Sequence, residues 1–282
     1  MSLTVLITGC STGIGAAMAR DLHARGHVVY ATARKQEALA GLADLGLKTL
    51  TLDVNDDASI AAAMAQVEEQ SGHLDILVNN AGFSQVGAVL DLKREDLRAQ
   101  YETNVIAPIA VTRAALPLLR AAKAKNGAAQ VTMIGSIVGL FTTPFAGAYC
   151  SSKAAIHSLT DALRMELVPF GVDVVTVQPG GILSSFGDNA EANMQLPEDS
   201  LYKGVEEGVR ARAQAGQVGA TPADEFVRPV IDSMLKGSPH PVVRGGRGST
   251  SLPLLKRWMP LKIFDGLMVK RFGLDKFSPP AA

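Results

Sequence analysis

The run Leu3-Thr4-Val5-Leu6-Ile7-Thr8-Gly9-Cys10-Ser11-Thr12-Gly13-Ile14-Gly15 decides how the rest of the chain is read. Residues 3–8 are apolar and rich in β-branched side chains, the composition of a strand buried on both faces. Residues 14–25 are Ala-rich and end before Gly26, which reads as a helix stopped by glycine. Between them lie Gly9, Gly13 and Gly15. Glycine tolerates positive φ and lets backbones approach closely. A helix starting straight after such a turn offers unbonded N–H groups and a partial positive charge to a phosphate. Three glycines alone mean little; the strand–turn–helix setting gives them weight.

Outward from this turn the alternation repeats. Strand-like runs occupy 27–32, 47–52, 74–78, 129–134, 172–177 and 241–244, and helical ones 36–44, 57–70, 95–122, 148–168 and 223–236. Strands alternating with helices at this spacing build βαβ units. The expected fold class is α/β: a single Rossmann-type doubly wound parallel sheet of about seven strands, helices on both faces, over residues 1–245. No fixed-period repeat interrupts it. Residues 180–219 are too long for an ordinary connector, and 183–219 is expected to act as a substrate loop. A Gly/Ser/Pro linker at 245–253 leads into a C-terminal helical extension, 246–282. Residues 256–276 carry six basic side chains against Asp265 and Asp275, interleaved with Trp258, Phe264, Met268 and Phe272.

Composition narrows the function. Of 282 residues 47% are hydrophobic, which excludes disorder for most of the chain. Lys+Arg and Asp+Glu are both 27, so no basic excess marks a nucleic-acid partner. Cys10 and Cys150 are too few for a disulfide framework, and a reducing, cytoplasmic setting is expected. Five scattered histidines show no ligand spacing, so no metal site is expected. Residues 2–19 and 126–152 carry no charge, but glycines and polar residues break both. They read as strand, turn and helix start rather than as a secretory leader or a membrane span.

The second chemical motif is Tyr149-Cys150-Ser151-Ser152-Lys153. Residues four apart share a helix face, and an ammonium beside a phenol favours the phenolate. Such a tyrosine can exchange protons near neutral pH. Alone, this spacing arises often by chance, with an exposed pair as the ordinary outcome. Order makes the difference. Asn80-Ala81-Gly82 closes the fourth strand, Asn104 sits in the next helix, Ser136 precedes Tyr149 by 13 residues, and Pro179-Gly180 ends the sixth strand. In a parallel sheet every strand's C-terminal end opens onto one crevice, so these residues converge.

Carrying these motifs in this order, the sequence resembles the short-chain dehydrogenase/reductase family over roughly residues 3–245. The resemblance implies a nicotinamide cofactor and a role for each matching residue. Gly9, Ser11, Gly13, Ile14 and Gly15 would hold the diphosphate, and Asp53-Val54 the adenine. Asn80, Ala81 and Gly82 match the segment that supports the sheet beside the cofactor. Tyr149 resembles the general acid/base, Lys153 the group that lowers its pKa and holds the ribose, and Ser136 the partner of the substrate oxygen. Asn104 matches the anchor of a water linking Lys153 to solvent. Pro179, Gly180, Ile182 and Ser184 resemble the carboxamide segment, Ser184 standing where threonine is usual.

The end of the second strand separates the two dinucleotides. An acid there binds ribose hydroxyls in NAD-selective enzymes; here the run is Tyr30-Ala31-Thr32-Ala33-Arg34. A guanidinium suits a 2′-phosphate, so NADP(H) is expected over NAD(H), with Ser11 adding a hydroxyl. Thr12 stands where many NADP-dependent relatives carry a base. If Arg34 is only a solvated residue, the alternative is an NAD-preferring alcohol dehydrogenase. Leu140, Phe141, Phe145, Leu183, Phe186 and Met194 mark an apolar substrate side, which fits a lipophilic ketone or alcohol. The opening turn and the long extension look most like the steroid- and retinol-dehydrogenase branch. The extension could cover the substrate mouth, lie on a membrane surface through 256–276, or cover a subunit face. A homodimer or homotetramer built on 95–122 and 148–168 is implied by the resemblance. A non-catalytic NADPH-sensing regulator is the competing class, disfavoured by the intact Ser136, Tyr149 and Lys153. A sugar-nucleotide epimerase is disfavoured by the short, apolar substrate region.

Overall fold

Side chains along a strand alternate between faces, and the first strand shows how the core divides. The computed structural model describes residues 2–278. In β1 (Thr4–Ile7) Val5 and Ile7 face one layer and Leu6 the other. The first layer is α1 (Gly13–Ala24), reached before β2 (Val28–Ala33). After α2 (Ala40–Ala43) and β3 (Lys48–Thr51), α3 (Asp57–Ser71) lies on the opposite face. The chain continues through β4 (Ile76–Asn79), α4 (Arg94–Tyr101), α5 (Ala107–Asn126), β5 (Ala129–Ile134), α6 (Gly147–Glu166) and β6 (Val172–Pro179). A two-stranded sheet of β7 (Ile182–Leu183) and β8 (Thr221–Pro222) brackets α7 (Phe186–Ala192) and α8 (Glu206–Gln214). Next come α9 (Ala223–Met234) and β9 (Val242–Gly245), then α10 (Ser251–Trp258) and α11 (Leu261–Arg271).

The main sheet runs β3-β2-β1-β4-β5-β6-β9, and every pair is parallel. This is the expected doubly wound fold. Met18 and Leu22 of α1 and Phe226 and Ile231 of α9 fill one face; Val67 of α3 and Val111 and Leu119 of α5 fill the other. Strand order reverses between β1 and β4, and a crevice opens beyond the strand ends there.

Three expectations change. The single helix over 95–122 is interrupted: a π-turn at Glu102–Ile106 separates α4 from α5. Pro108 supplies a reason, since it has no N–H for the carbonyl of Asn104 and its ring crowds that carbonyl. One wider turn absorbs the mismatch, as such turns often do at functional sites. Second, 180–219 is folded into β7, α7, α8 and the approach to β8 rather than being an open loop. Third, the linker 245–253 ends early, because α10 begins at Ser251. Pro253 falls in its first turn, where a missing N–H costs nothing.

The extension packs over the crevice beyond the strand ends. Phe264 is buried in edge-on contact with Phe141, ring centroids 6.0 Å apart, and Phe272 is buried among residues of α7 and α8. Trp258 of α10 and Leu261 and Ile263 of α11 remain exposed. The stretch Arg94–Asn126 is long and apolar enough to cross a membrane, yet half of its most apolar window is buried inside the fold.

Candidate active site

The glycine turn is packed too tightly for any side chain. A Cβ on Gly15 would lie 2.4 Å from the Gly9 carbonyl oxygen and 2.5 Å from Asn80 Nδ2; one on Gly9 would meet Ala81 at 2.8 Å. Gly9 and Gly13 also hold positive φ, +72° and +60°. Thr12 begins α1 without a side-chain cap, and no acid stands in the first turn, so the N–H groups of that helix end stay available. Asn80 fastens this loop to β4. Its Nδ2 donates to Thr8 O (2.8 Å) and Gly9 O (2.9 Å), while the backbone N–H groups of Asn80 and Ala81 donate to Thr8 Oγ1.

From the turn a cleft of about 1090 Å³ runs across the sheet ends. Every expected site residue lines it except two. Gly15 lies behind the turn it makes possible. Asn104 is buried in the π-turn, where its Oδ1 accepts from Phe83 N (3.2 Å) and its Nδ2 donates to Phe83 O (3.0 Å) and Ser152 Oγ (3.2 Å). Asn104 Oδ1 and Lys153 Nζ both fall within 4 Å of where a Gly82 Cβ would sit. Arg34, at the end of β2, is exposed on the cleft edge and bonds to no described residue. Asp53 turns its Oδ1 to the N–H of Asn55. Across the cleft, Ser184 faces Gly13, and Ser185 Oγ donates to Thr12 Oγ1 at 2.8 Å, so the segment after β6 closes over the glycine turn.

Ser136, Tyr149 and Lys153 come together where β5 meets α6. Lys153 Nζ is buried, donates to Ile134 O (2.8 Å), and sits 5.9 Å from the Tyr149 ring centre. Burial lowers its pKa to about 8. Tyr149 departs from expectation. Burial pushes its hydroxyl up to about 12, against the opposing pull of the adjacent Ser136 hydroxyl and then of the Arg212 guanidinium. Lys153 does not bring the phenol toward neutrality here, because its ammonium is drawn to Ile134 O and lies over the ring. The cation acting on the Tyr149 hydroxyl is Arg212, which the sequence did not single out. It sits on α8 inside the stretch read as a loop, with no motif around it.

His157, read as a structural helix histidine, is buried behind this group. Its Nε2 accepts from the Ser136 backbone N–H (3.3 Å), so Nδ1 must carry the ring proton, and Nδ1 has no partner. The ring fits only because Gly135 and Gly139 flank it; a Cβ on either would come within 2.6 Å. Burial, followed by Lys153, depresses its pKa to about 4. Phe145, between Ser136 and Tyr149, is the single described non-glycine residue with left-handed backbone (φ 62°), and its ring is buried against Tyr202.

The apolar substrate side is smaller than expected. Phe141 and Phe186 line the cleft, and the Phe186 ring lies 5.6 Å from that of Tyr149. Leu140 and Leu183 are exposed at its margin, while Phe145 and Met194 turn into a separate core with Val205 and Val209. Side-chain alternation along short irregular segments cannot be read from sequence, which is why four of six were misassigned. Residues of the extension, Phe264, Met268 and Phe272, take their place. Among the described residues no group of three or more His, Cys, Asp or Glu is arranged to hold a metal.

Compared with known proteins, residues 3–195 match the family described as short chain dehydrogenase. The chain belongs to that family. Its members are oxidoreductases that use nicotinamide cofactors. Among relatives of this short-chain dehydrogenase, cctT of Talaromyces islandicus, itself called a short-chain dehydrogenase, is 34% identical over 99% of this chain and 98% of its own. The NADPH-dependent 3-dehydrocapnine reductase of Ornithobacterium rhinotracheale is 35% identical over 70% of this chain and 71% of its own. A short-chain dehydrogenase structure from Streptomyces avermitilis superposes with a TM-score of 0.77 at 27% identity, covering 98% of this chain and 97% of that one.

Proposed function

We propose that this short-chain dehydrogenase is an NADP(H)-dependent reductase of ketones with an apolar body, working through Tyr149. The observation that carries the reading is the meeting of Ser136, Tyr149 and Lys153 in one cleft with a glycine turn shaped for a diphosphate. The residues present fit a dinucleotide. Gly9 and Gly15 leave no room for side chains, the α1 terminus is uncapped, and Arg34 bonds to no described residue where β2 ends, a strand end that itself carries no acid. Arg34 would hold a 2′-phosphate, and the NADPH dependence named for the Ornithobacterium relative agrees with that choice.

When bound, the reduced nicotinamide supplies hydride to the carbonyl carbon. The chain supplies everything else. With its pKa raised to about 12, Tyr149 holds its proton throughout the neutral range and can give it to the carbonyl oxygen. Ser136 Oγ accepts from Val138 N (3.3 Å), which fixes its hydroxyl beside Tyr149, and its proton can turn from the phenol oxygen to the same carbonyl oxygen. Lys153 spends one donor on Ile134 O and has two left for a ribose. Asn104 holds the Phe83 backbone beside that ammonium.

The test is calorimetry with both dinucleotides, alongside oxidation of the reduced cofactor against a panel of ketones. NADPH should bind more tightly than NADH by roughly tenfold to a hundredfold, the worth of a charged bidentate contact. Arg34→Asp should reverse the order. Equal affinities in the parent protein would remove the NADP assignment, and absence of any ketone-dependent oxidation would favour a sensing role.

A further inference from the structure

Arg212 is a buried cation with nothing to neutralise it. Only 8% of its surface is exposed, and it forms no ion pair with any described residue. Its one hydrogen bond runs from Nε to Thr143 Oγ1 at 2.6 Å. The two terminal nitrogens bond to no described group. Yet they are absent from the enclosed, unsatisfied side-chain atoms, which are Ser84 Oγ and His157 Nδ1. The free edge of the guanidinium therefore opens into the cleft that Arg212 lines. Nor does the cleft provide an acid for it. Asp53 is the single acidic residue on its wall. Asp53 follows β3, four strands from β5 where Ser136 and Thr143 follow, and strands stand about 4.8 Å apart, so roughly 19 Å lies between. Apart from Asp53, the charged wall residues are all basic: Arg34, Lys153, Arg212, Arg247 and Arg271.

A guanidinium withdrawn from water stays charged, and its burial is tolerated when an anion completes it. Its planar, forked donors match an oxyanion in two-point contact. We propose that Arg212 is the substrate's anion-binding residue, and that the ketone reduced in this cleft carries a carboxylate or comparable oxyanion beside an apolar chain. This rests on the reductase reading above and deepens it. With the anion held at Arg212 and the carbonyl at Ser136 and Tyr149, the chain leaves past Phe141, Phe264 and Met268. Those side chains come from two distant parts of the sequence and meet on one apolar stretch of the wall. Thr143 fixes the fork through Nε, the one donor that points away from the opening.

Decanoate and decanol titrated calorimetrically into the protein, with and without NADPH, test the site apart from turnover. Decanoate should bind at least tenfold more tightly than decanol. Arg212→Met should abolish that difference, and Arg212→Lys should retain part of it. Reduction of 4-oxodecanoate should likewise exceed that of its methyl ester in the native enzyme, with the acid-over-ester ratio collapsing in Arg212→Met. Equal binding of acid and alcohol to the native protein overturns the proposal, as does a preference that survives Arg212→Met. Failure to bind either dinucleotide would instead sink the reductase reading, while the decanoate comparison would still decide the role of Arg212. If Arg212→Met does not fold, the Lys variant carries the test, because a native-strength preference is not expected from an ammonium.

Discussion

Tyr149 and His157 share one helix and one buried neighbourhood, but their protons serve opposite ends. Tyr149→Phe keeps the ring beside Phe186 and removes the one hydroxyl placed to protonate a carbonyl. Acid catalysis of this kind contributes ~10²- to 10⁴-fold. Steady-state reduction should fall by that range while NADPH titration stays near normal; near-parent turnover would end the tyrosine mechanism. Because burial holds the hydroxyl proton up to about 12, ketone reduction should persist across neutral and mildly alkaline pH. Alcohol oxidation, which needs the phenolate, should rise toward alkaline pH. His157 affects stability instead. Its pKa drops from about 6.5 unfolded to about 4 folded, so below pH 6.5 the unfolded chain binds a proton that the folded one refuses. Stability from this group is complete above pH 6.5 and declines down to pH 4, by about 3 kcal/mol in total. Urea unfolding of the parent and of His157→Gln across that window should show the parent losing stability more steeply on acidification. Parallel pH curves would mean that His157 does not titrate between the two states.

At the scale of elements, the β1–α1 turn is the least replaceable piece. Gly15→Ala places a methyl against the Gly9 carbonyl, which is backbone, and the Asn80 amide, which two hydrogen bonds hold in place. Dinucleotide affinity should fall at least tenfold, and thermal unfolding should occur at lower temperature. Unchanged values for both would show that the loop has slack absent from this structure. This turn was fully legible in the sequence because glycine spacing and a strand–helix junction are local signals. So were the seven strands: the central ones are apolar runs buried on both faces, and the edge strands β3 and β9 keep enough β-branched residues to be read. The π-turn was hidden, since a wider turn leaves the apolar periodicity of 95–122 almost unaltered. The clue was Pro108, four residues after Asn104. The helices α7 and α8 were missed for another reason. Their apolar residues pack against the extension, and such short segments carry little pattern of their own. Arg212 was lost with them.

For the molecule as a whole, zero net charge leaves surface apolar groups as the guide to assembly. Leu159 and Met165 on α6, with Val168, Phe170 and Ile106 nearby in sequence to the ends of α6 and α5, are exposed. Burying such side chains is favourable by about 25 cal/mol per Å², which motivates a dimer through α5 and α6. Light scattering at micromolar concentration should report twice 29.6 kDa, and Leu159→Glu should shift the population toward 29.6 kDa. A parent protein that scatters as 29.6 kDa alone would refute the pairing.

The extra residue in the π-turn at Glu102–Ile106 sets the rotational register of α5 against α4. Deleting one residue there, with Pro108 relieved, would convert two helices into one continuous and more regular rod. Each residue of an α-helix accounts for about 100° of rotation, so everything on one side of the deletion would swing by that angle relative to the other. Asn104 would leave Phe83 and Ser152, and the support beside Lys153 would go with it. Val111 and Leu119 would turn away from the core by the same rotation, so a one-residue deletion here should lower thermal stability and empty the site together.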